Sequence, residues 1–521
     1  MLVAGVALGV GLVPRLNAFT GPDFREGLVT PERPLSLDPL VGADVVAVHD
    51  VGHLLYRSLL RLDSSAYPQP DLASSYAVDQ TGVTYTVELA RGQRWSDGRA
   101  ITVADVLGTL AFAQSRQAVD QRLSGALAGV RAAAQGDGGI VFTLSSPRAS
   151  FAASLTQLPI LPLGELTPKR IAALPTQAAV PMPTSGPYRV QSSDAIALEL
   201  VANQYAHVKP KLGRLELRLY SAFADAATAF SKAEVDAVLT TTPAERWRLL
   251  RGSAASAHDI ATFRFVDIIF NERVFGLDDP VVRQAIGAAL ERRSIVDGGS
   301  TRAAGVIEAD AISRGLPWIA TADPPVTASV TSARTALDAD GWREPPDRGA
   351  RVRNGASLSY TLLVPNTPPL SDVAAAVAKQ VQGIGVEIKV DVVPAQTFLA
   401  QDIDPASFQM ALGDWDPGPD PDVSSFWRSN AQPPLGLYVS GGPVDPFLDQ
   451  ALDELATLAT RSGRVAAASS VAAHLVADAP AEFLYTPTVS FVMRGPLRAA
   501  MVPAVGGSSA RYEEVASWQR S

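Results

Sequence analysis

A mixed α/β architecture is predicted by three features of the sequence. Residues 84–89, TYTVEL, alternate strictly, with Tyr85, Val87 and Leu89 on one face and Thr84, Thr86 and Glu88 on the other, the pattern of a half-buried strand. A Trp-Ser-Asp-Gly turn then leads into Thr102-x-x-Asp105, a capping box, followed by Val103, Val106, Leu107, Leu110 and Ala111 at helical spacing. Farther on, LSYTLLVP, a helical stretch near Ser371–Gln382 closed by Gly383, and VEIKVDVV form a β-α-β unit of the kind that builds parallel sheets. At 521 residues the chain exceeds what one hydrophobic core supports, so two or three domains are expected.

The remaining elements follow in order. Residues 2–13, LVAGVALGVGLV, are an uncharged apolar run, shorter than the ~20 residues that span a bilayer. No basic segment precedes them and the polar linker NAFTGPDFREG follows. The run therefore reads as a membrane signal or anchor whose upstream part is missing, with a buried element as the alternative. The folded part opens at SLDPL (36–40) and the apolar stretch around Val45–Leu60. IVFTL at 140–144 is a strand, and Pro-rich LPILPLGELTP and AAVPMPTSGPY mark a boundary near residues 158–188. Strands come next at IALEL (196–200) and RLELRLY (214–220), then an Ala-rich helix and VDAVL. FRFVDIIFN (263–271) is a strand, and Asp279-Pro280 starts a helix with Val282, Ala285, Ile286, Ala289 and Leu290 on one face.

Composition removes several function classes. Hydrophobic residues make up 47% and charged residues 19%, which leaves little room for a long disordered region. Lys plus Arg number 44 against 53 Asp plus Glu, a net charge of -9, and no dense basic run is present to neutralise phosphates, so nucleic acid is not an expected partner. The absence of cysteine excludes disulfides, thiolate nucleophiles, cysteine-ligated zinc and a lipid-modified cysteine anchor. His49 and His53 are four apart, yet no third ligand accompanies them, and no metal site is expected. Neither G-x-S-x-G nor a P-loop or dinucleotide fingerprint occurs, so no catalytic residue and no cofactor are expected.

The densest polar constellation is LGDWDPGPDPDVSSFWRSN, residues 412–430. Asp414, Asp416, Asp420 and Asp422 alternate with Trp415, Pro417, Pro419 and Pro421, and Trp427 lies a few residues on. Calcium loops also space aspartates by two, but this segment lacks a Glu at the twelfth position and its prolines fix other dihedrals. A solvated loop is a second reading. A ligand-contacting loop is the third, because Trp supplies stacking surface and a carboxylate beside it can hold a cationic group in a dry pocket.

Five segments in sequence resemble a known family. PDLASSYAVDQTGVTYTVELARGQRWSDGRAITVADVLGTL, TSGPYRV, KPKLGRLELRLYSAFADAATAFSKAEVDAVL, FNERVFGLDDPVVRQAIGAALERRSIVD and LATRSGRVAAASSVAAHLVADAPAEFLYTP are similar to segments of the family 5 extracellular solute-binding proteins. That family comprises the peptide, dipeptide and nickel receptors of ABC importers, and the resemblance runs from about Glu26 to the C-terminus. It implies a two-lobe, periplasmic-binding-protein-like (type II) α/β fold with an inserted subdomain in the first lobe. The expected divisions are an apolar anchor and linker (1–26), a first lobe (27–46, 184–263 and 486–521), an inserted subdomain (47–183) and a second lobe (264–485). Hinge crossings are expected near Asp267–Asn271 and Tyr485–Thr488, and Trp95–Gly98 as a structural joint with a buried indole.

The resemblance also implies a function. The protein would be a non-enzymatic extracytoplasmic receptor, periplasmic or on the outer face of the cytoplasmic membrane. It would be a monomer, tethered by its N-terminal segment, that captures a peptide or similar small solute and delivers it to ABC permease subunits. A solute sensor or scaffold is the alternative, and a hydrolase using Asp414 and Asp416 is disfavoured because adjacent loop carboxylates lack a scaffolded partner. In peptide-binding relatives an Asp of the corresponding loop pairs with the ligand's α-ammonium. Asp416 is the first candidate here, with Asp414 and Asp420 as alternates. Trp415, Trp427, Asn271 and Tyr485 complete the expected binding set.

Overall fold

Fourteen residues near the C-terminus, Ala481–Arg494, form a single strand that runs through both halves of the main sheet. The computed structural model describes residues 23–31, 33–40, 46–115, 121–166, 181–296, 303–319, 328–346, 349–403, 406–431, 436–439, 445–495, 497–498 and 502–520. The apolar run at 2–13 lies outside them. Among the described residues no helix is long and apolar enough to cross a membrane.

In chain order the elements that build the site are β1 (Phe24–Val29), α1 (Val46–Leu55), β2 (Ala73–Val78), β3 (Thr84–Leu89), α2 (Val103–Ala113), β4 (Arg131–Gln135), β5 (Gly139–Thr143), β6 (Tyr188–Ser193), β7 (Ala197–Ala202), β8 (Arg214–Tyr220), α3 (Phe223–Ser231), β9 (Ala237–Thr240), β10 (Ala255–Ala261) and β11 (Phe265–Phe270). They continue with α4 (Pro280–Ala288), β12 (Gly305–Ile307), β13 (Ser359–Pro365), α5 (Leu370–Val381), β14 (Glu387–Val393), β15 (Met410–Trp415), α6 (Pro446–Thr457), α7 (Arg461–Asp478) and β16 (Ala481–Arg494). The main sheet has the order β14-β13-β15-β11-β16-β9-β1-β8-β7-β6, and β10 and β12 also pair with β16. A second, antiparallel sheet, β2-β3-β5-β4, lies in the inserted region.

Local chemistry accounts for these elements. In β3, Tyr85 and Val87 are buried and Glu88 is exposed, as the alternation predicts. Trp95 is 1% exposed, and the turn that follows closes with Gly98 N–H donating to Trp95 C=O at 2.9 Å. Gly98 has φ +92, a conformation that L side chains rarely adopt, so the turn seats the indole in the core without strain. The Asp105 carboxylate accepts the Thr102 N–H at 2.8 Å and the Leu163 N–H at 2.8 Å, starting α2 and pinning it to its neighbour. Asp279 accepts the Val281 N–H at 3.0 Å at the head of α4. The β13-α5-β14 unit is parallel, Ser359 opposite Glu387 through Pro365 opposite Val393. Its helix ends differently from expectation: α5 passes into a 3-10 turn, and the left-handed cap is Gly385 (φ 78), two residues beyond Gly383.

The lobes are joined where pairing changes hands. Residues Ala481–Tyr485 of β16 pair with β11, and Thr488–Arg494 pair with β10. Thr486 and Pro487 lie between and pair with β12. The other crossing is Thr262–Arg264, between β10 and β11. Asp267–Asn271, expected at that crossing, instead lie within β11 and just past it. Every β11 residue is buried and the strand is paired on both sides, by β15 and β16, so it cannot bend. Ser313 knots the two crossings together, its Oγ lying 3.2 Å from Thr262 O and 3.2 Å from Thr486 Oγ1. Beside it, a Cβ at Gly315 would lie 2.0 Å from Thr262 O, a contact that no side chain tolerates.

The last residues close the first lobe. Trp518, fully buried, meets Phe24 edge-on at 5.5 Å. Arg511 is also fully buried, and its guanidinium donates to Glu26 Oε1 at 3.0 Å and to Asp50 Oδ2 at 2.5 Å, tying the C-terminal segment to β1 and α1. Burial raises Asp50, but the charge of Arg511 and further hydrogen bonds outweigh it and hold the carboxyl at about 2.

Candidate functional site

A cleft of about 1380 Å³ opens at the crossings. Thr262, Phe263 and Arg264 of one crossing line it. Helix α1 contributes His49 and His53 to one side, and the loop after β15 contributes Asp416, Asp420 and Asp422 to another. Strand register sets this arrangement. β15 lies antiparallel to β11 with Trp415 opposite Phe265 and Asp414 opposite Val266, so the acidic loop emerges beside the crossing segment.

Four carboxylates of that loop have different environments. Asp414 accepts a two-point bond from Arg264, Nε at 2.9 Å and Nη2 at 2.6 Å, joining the loop to the crossing. Burial nevertheless pushes its carboxyl up to about 6 against the pull of Arg264. Half-buried Asp416 lies in the cleft wall, and its Oδ1 accepts the Gly418 N–H at 2.9 Å, an Asx turn that Gly418 completes at φ +80. Asp420 is bound by both Nη atoms of Arg464 from α7. Asp422 accepts the Ser424 N–H at 3.1 Å, and burial, then Asp420, raises its carboxyl.

The aromatic and amide candidates sit deeper. Trp415 is 6% exposed, stacks on Phe398 and donates Nε1–H to Asp267 at 2.8 Å. Asp267 Oδ2 has no hydrogen-bond partner among the described residues, and burial raises this carboxyl well above the usual range. Trp427 is fully buried, edge-on to Phe483 at 5.5 Å, and Tyr485 is buried in β16. Asn271 donates to Phe408 O at 2.8 Å and to Ala406 O at 3.1 Å, fixing the approach to β15. Of the seven residues named from sequence, Asp416 and Asp420 line the cleft; Asp414, Trp415, Asn271, Trp427 and Tyr485 do not.

Several lining residues were not named as ligand contacts from sequence. Arg57 donates to Asp71 at 2.6 Å and to Gln93 at 2.8 Å, and His53 Nδ1 lies 3.6 Å from Glu513. Arg264 carried the one available hint, a charge set between the aromatics of a run otherwise fit for a buried strand. Among the described residues no group of three or more His, Cys, Asp or Glu is placed to hold a metal ion.

This arrangement, two lobes on a two-strand connection around a cleft, accords with comparisons to known proteins. A model of bacterial extracellular solute-binding proteins, family 5 Middle, matches residues 67–434. The chain belongs to that family. Protein XP55 of Streptomyces lividans is 29% identical over 373 residues, which span 69% of this chain and 65% of that protein. The oligopeptide-binding protein AppA of Bacillus subtilis (strain 168) is 24% identical over 464 residues, 85% of this chain and 83% of AppA. The structure of Bacillus subtilis AppA in complex with a nonapeptide superposes with a TM-score of 0.66 at 20% identity, covering 96% of this chain and 98% of that one. Family 5 solute-binding proteins are extracytoplasmic, and this chain shares their type II fold.

Proposed function

We propose that this family 5 protein is the solute receptor of an ABC importer, enclosing a peptide or similar amine-bearing solute between its lobes and handing it, unaltered, to permease subunits. The observation that carries the reading is the placement of Asp416 in the wall of the cleft, beside the crossing on which the lobes turn. An ammonium enclosed there loses hydration and needs a charge-assisted partner, and Asp416 supplies one from a loop made rigid by the Asp414–Arg264 and Asp420–Arg464 pairs. The name of AppA, an oligopeptide-binding protein, supports a peptide as the solute class. Trp415, Trp427 and Tyr485 act in this reading as packing beneath the loop, and Asn271 fixes the entry to β15 at the strand's other end. The receptor works as a monomer, held to the outer face of the cytoplasmic membrane by the apolar run at 2–13.

Asp416→Asn keeps the shape and deletes the charge. Truncating one member of a buried charge pair costs roughly 2 to 5 kcal/mol, some 30-fold or more in affinity. Calorimetry with free and N-acetylated oligopeptides tests it. Both the substitution and the acetylation weaken binding by that factor; if neither does, the loop does not read an amine.

A further inference from the structure

A short hairpin crosses from one core to the other. Leu60–Leu62 pairs antiparallel with Pro68–Pro70, Leu60 opposite Pro70 and Leu62 opposite Pro68. Its base is anchored in the first-lobe core: Leu59 and Leu60 are fully buried in the cluster that also holds Phe24, Leu28 and Trp518. Its tip belongs to the second-lobe core, where Ala66 is buried and Leu62 and Tyr67 pack in the cluster of Phe265, Phe483 and Trp427. Asp63 makes the tip rigid, its Oδ1 accepting the Ser65 N–H at 2.8 Å, the Ser65 hydroxyl at 2.7 Å and the Tyr67 N–H at 3.0 Å.

We propose that this hairpin is a latch that holds the lobes closed over the cleft, with the Tyr67 ring as its bolt. The ring meets Trp318 edge-on at 5.2 Å, and the Arg461 guanidinium lies 4.8 Å from its centroid. The Arg464 guanidinium lies 5.6 Å from the Trp318 ring centroid while its Nη atoms bind Asp420. A continuous chain of contacts thus runs from Tyr67 through Trp318 and Arg464 to the acidic loop, and Asp63, Ser64 and Ala66 themselves line the cleft. The hairpin is a contact between the two cores in addition to the crossings at Thr262–Arg264 and Thr486–Pro487, so swinging the lobes apart about those crossings pulls its tip out of the second core. A second contact breaks with it, the Ala149 N–H to Ala456 O bond of 2.7 Å. The inference rests on the reading of the cleft as a site that closes, but it needs no ligand to test.

The chain has no cysteine, so Ala149→Cys together with Ala456→Cys reports closure through the rate at which the pair oxidises on adding diamide, without added peptide. An edge-on aromatic pair and a cation-π contact together hold the closed state by about tenfold or more in population. Tyr67→Ala in this background slows oxidation about tenfold, and Tyr67→Phe, which keeps the ring, oxidises like the parent. Arg461→Gln, a change at an exposed position, slows it several-fold and serves where Tyr67→Ala lowers the melting temperature. Equal rates in all four proteins, or a parent pair that does not oxidise, overturn the latch. Loss of peptide binding with the rates behaving as described would fault the ligand reading instead.

Discussion

Replacing Glu308 with Gln should change how stability depends on pH. Glu308 follows β12, is fully buried behind the Thr486–Pro487 crossing, and accepts the Thr486 hydroxyl at 2.7 Å and the Arg314 N–H at 2.9 Å. Burial, reinforced by nearby Asp310, pushes its carboxyl up to about 8 against the pull of these bonds and of the Arg314 charge. The folded protein therefore keeps a proton that the unfolded chain releases near pH 4.5. The sign follows: this group's contribution is present in full below pH 4.5, falls as pH rises, and is gone above about 8. Each pH unit in that window costs roughly 1 kcal/mol, a few kcal/mol in all. Gln keeps the neutral shape and its acceptor oxygen, so Glu308→Gln removes the slope. Urea unfolding midpoints of parent and variant at pH 5, 6.5 and 8 measure it. The variant gains on the parent steadily from pH 5 to 8, while Asp310, pushed up to about 6 chiefly by burial, contributes to both. Parallel pH profiles for the two proteins would show that Glu308 is ionised when folded and that the crossing is not built on a neutral carboxyl.

Three further outcomes are expected. Trp95→Ala removes a side chain that is 1% exposed and lowers stability by about 3 to 5 kcal/mol, with peptide affinity of the folded fraction unchanged; an affinity loss in calorimetry would make Trp95 a ligand contact. Gly98→Ala, at φ +92, destabilises the same turn by about 1 to 3 kcal/mol in urea unfolding, and a neutral result would mean the turn relaxes freely. Arg511→Met leaves Glu26 and Asp50 buried without their cation and costs about 3 to 5 kcal/mol in thermal or urea unfolding; a loss under 1 kcal/mol would show that water or rearrangement rescues the pair.

What could be read from sequence was local. Alternation located β3, the Thr102–Asp105 pair located the start of α2, and the β13-α5-β14 unit followed from two apolar runs around a helical one. The buried place of Trp95 was implied by the family resemblance, and the Asp97-Gly98 turn beside it is one that local sequence marks. Long-range pairing was not legible. The hinge was placed several residues late because nothing in FRFVDIIFN marks where one strand hands its partner to another; that depends on the register of β16, more than 200 residues away. The acidic loop was found through its composition, but aspartates with the same neighbours take different roles according to distant arginines. Asp414 meets Arg264 at a separation of 150 and Asp420 meets Arg464 at 44. The same limit applies to tryptophan, since stacking surface for a ligand and for a core have one signature, and Trp427 is fully buried.

The central claim, that the protein captures a solute and releases it unaltered, is tested most directly by native mass spectrometry of the protein mixed with a pool of oligopeptides. The account predicts a saturable one-to-one adduct whose peptide, released by denaturation, has its original mass, and an adduct that is weakened in Asp416→Asn. No adduct with any member of the pool would contradict the receptor reading, and peptides released as cleavage products would replace it with an enzyme.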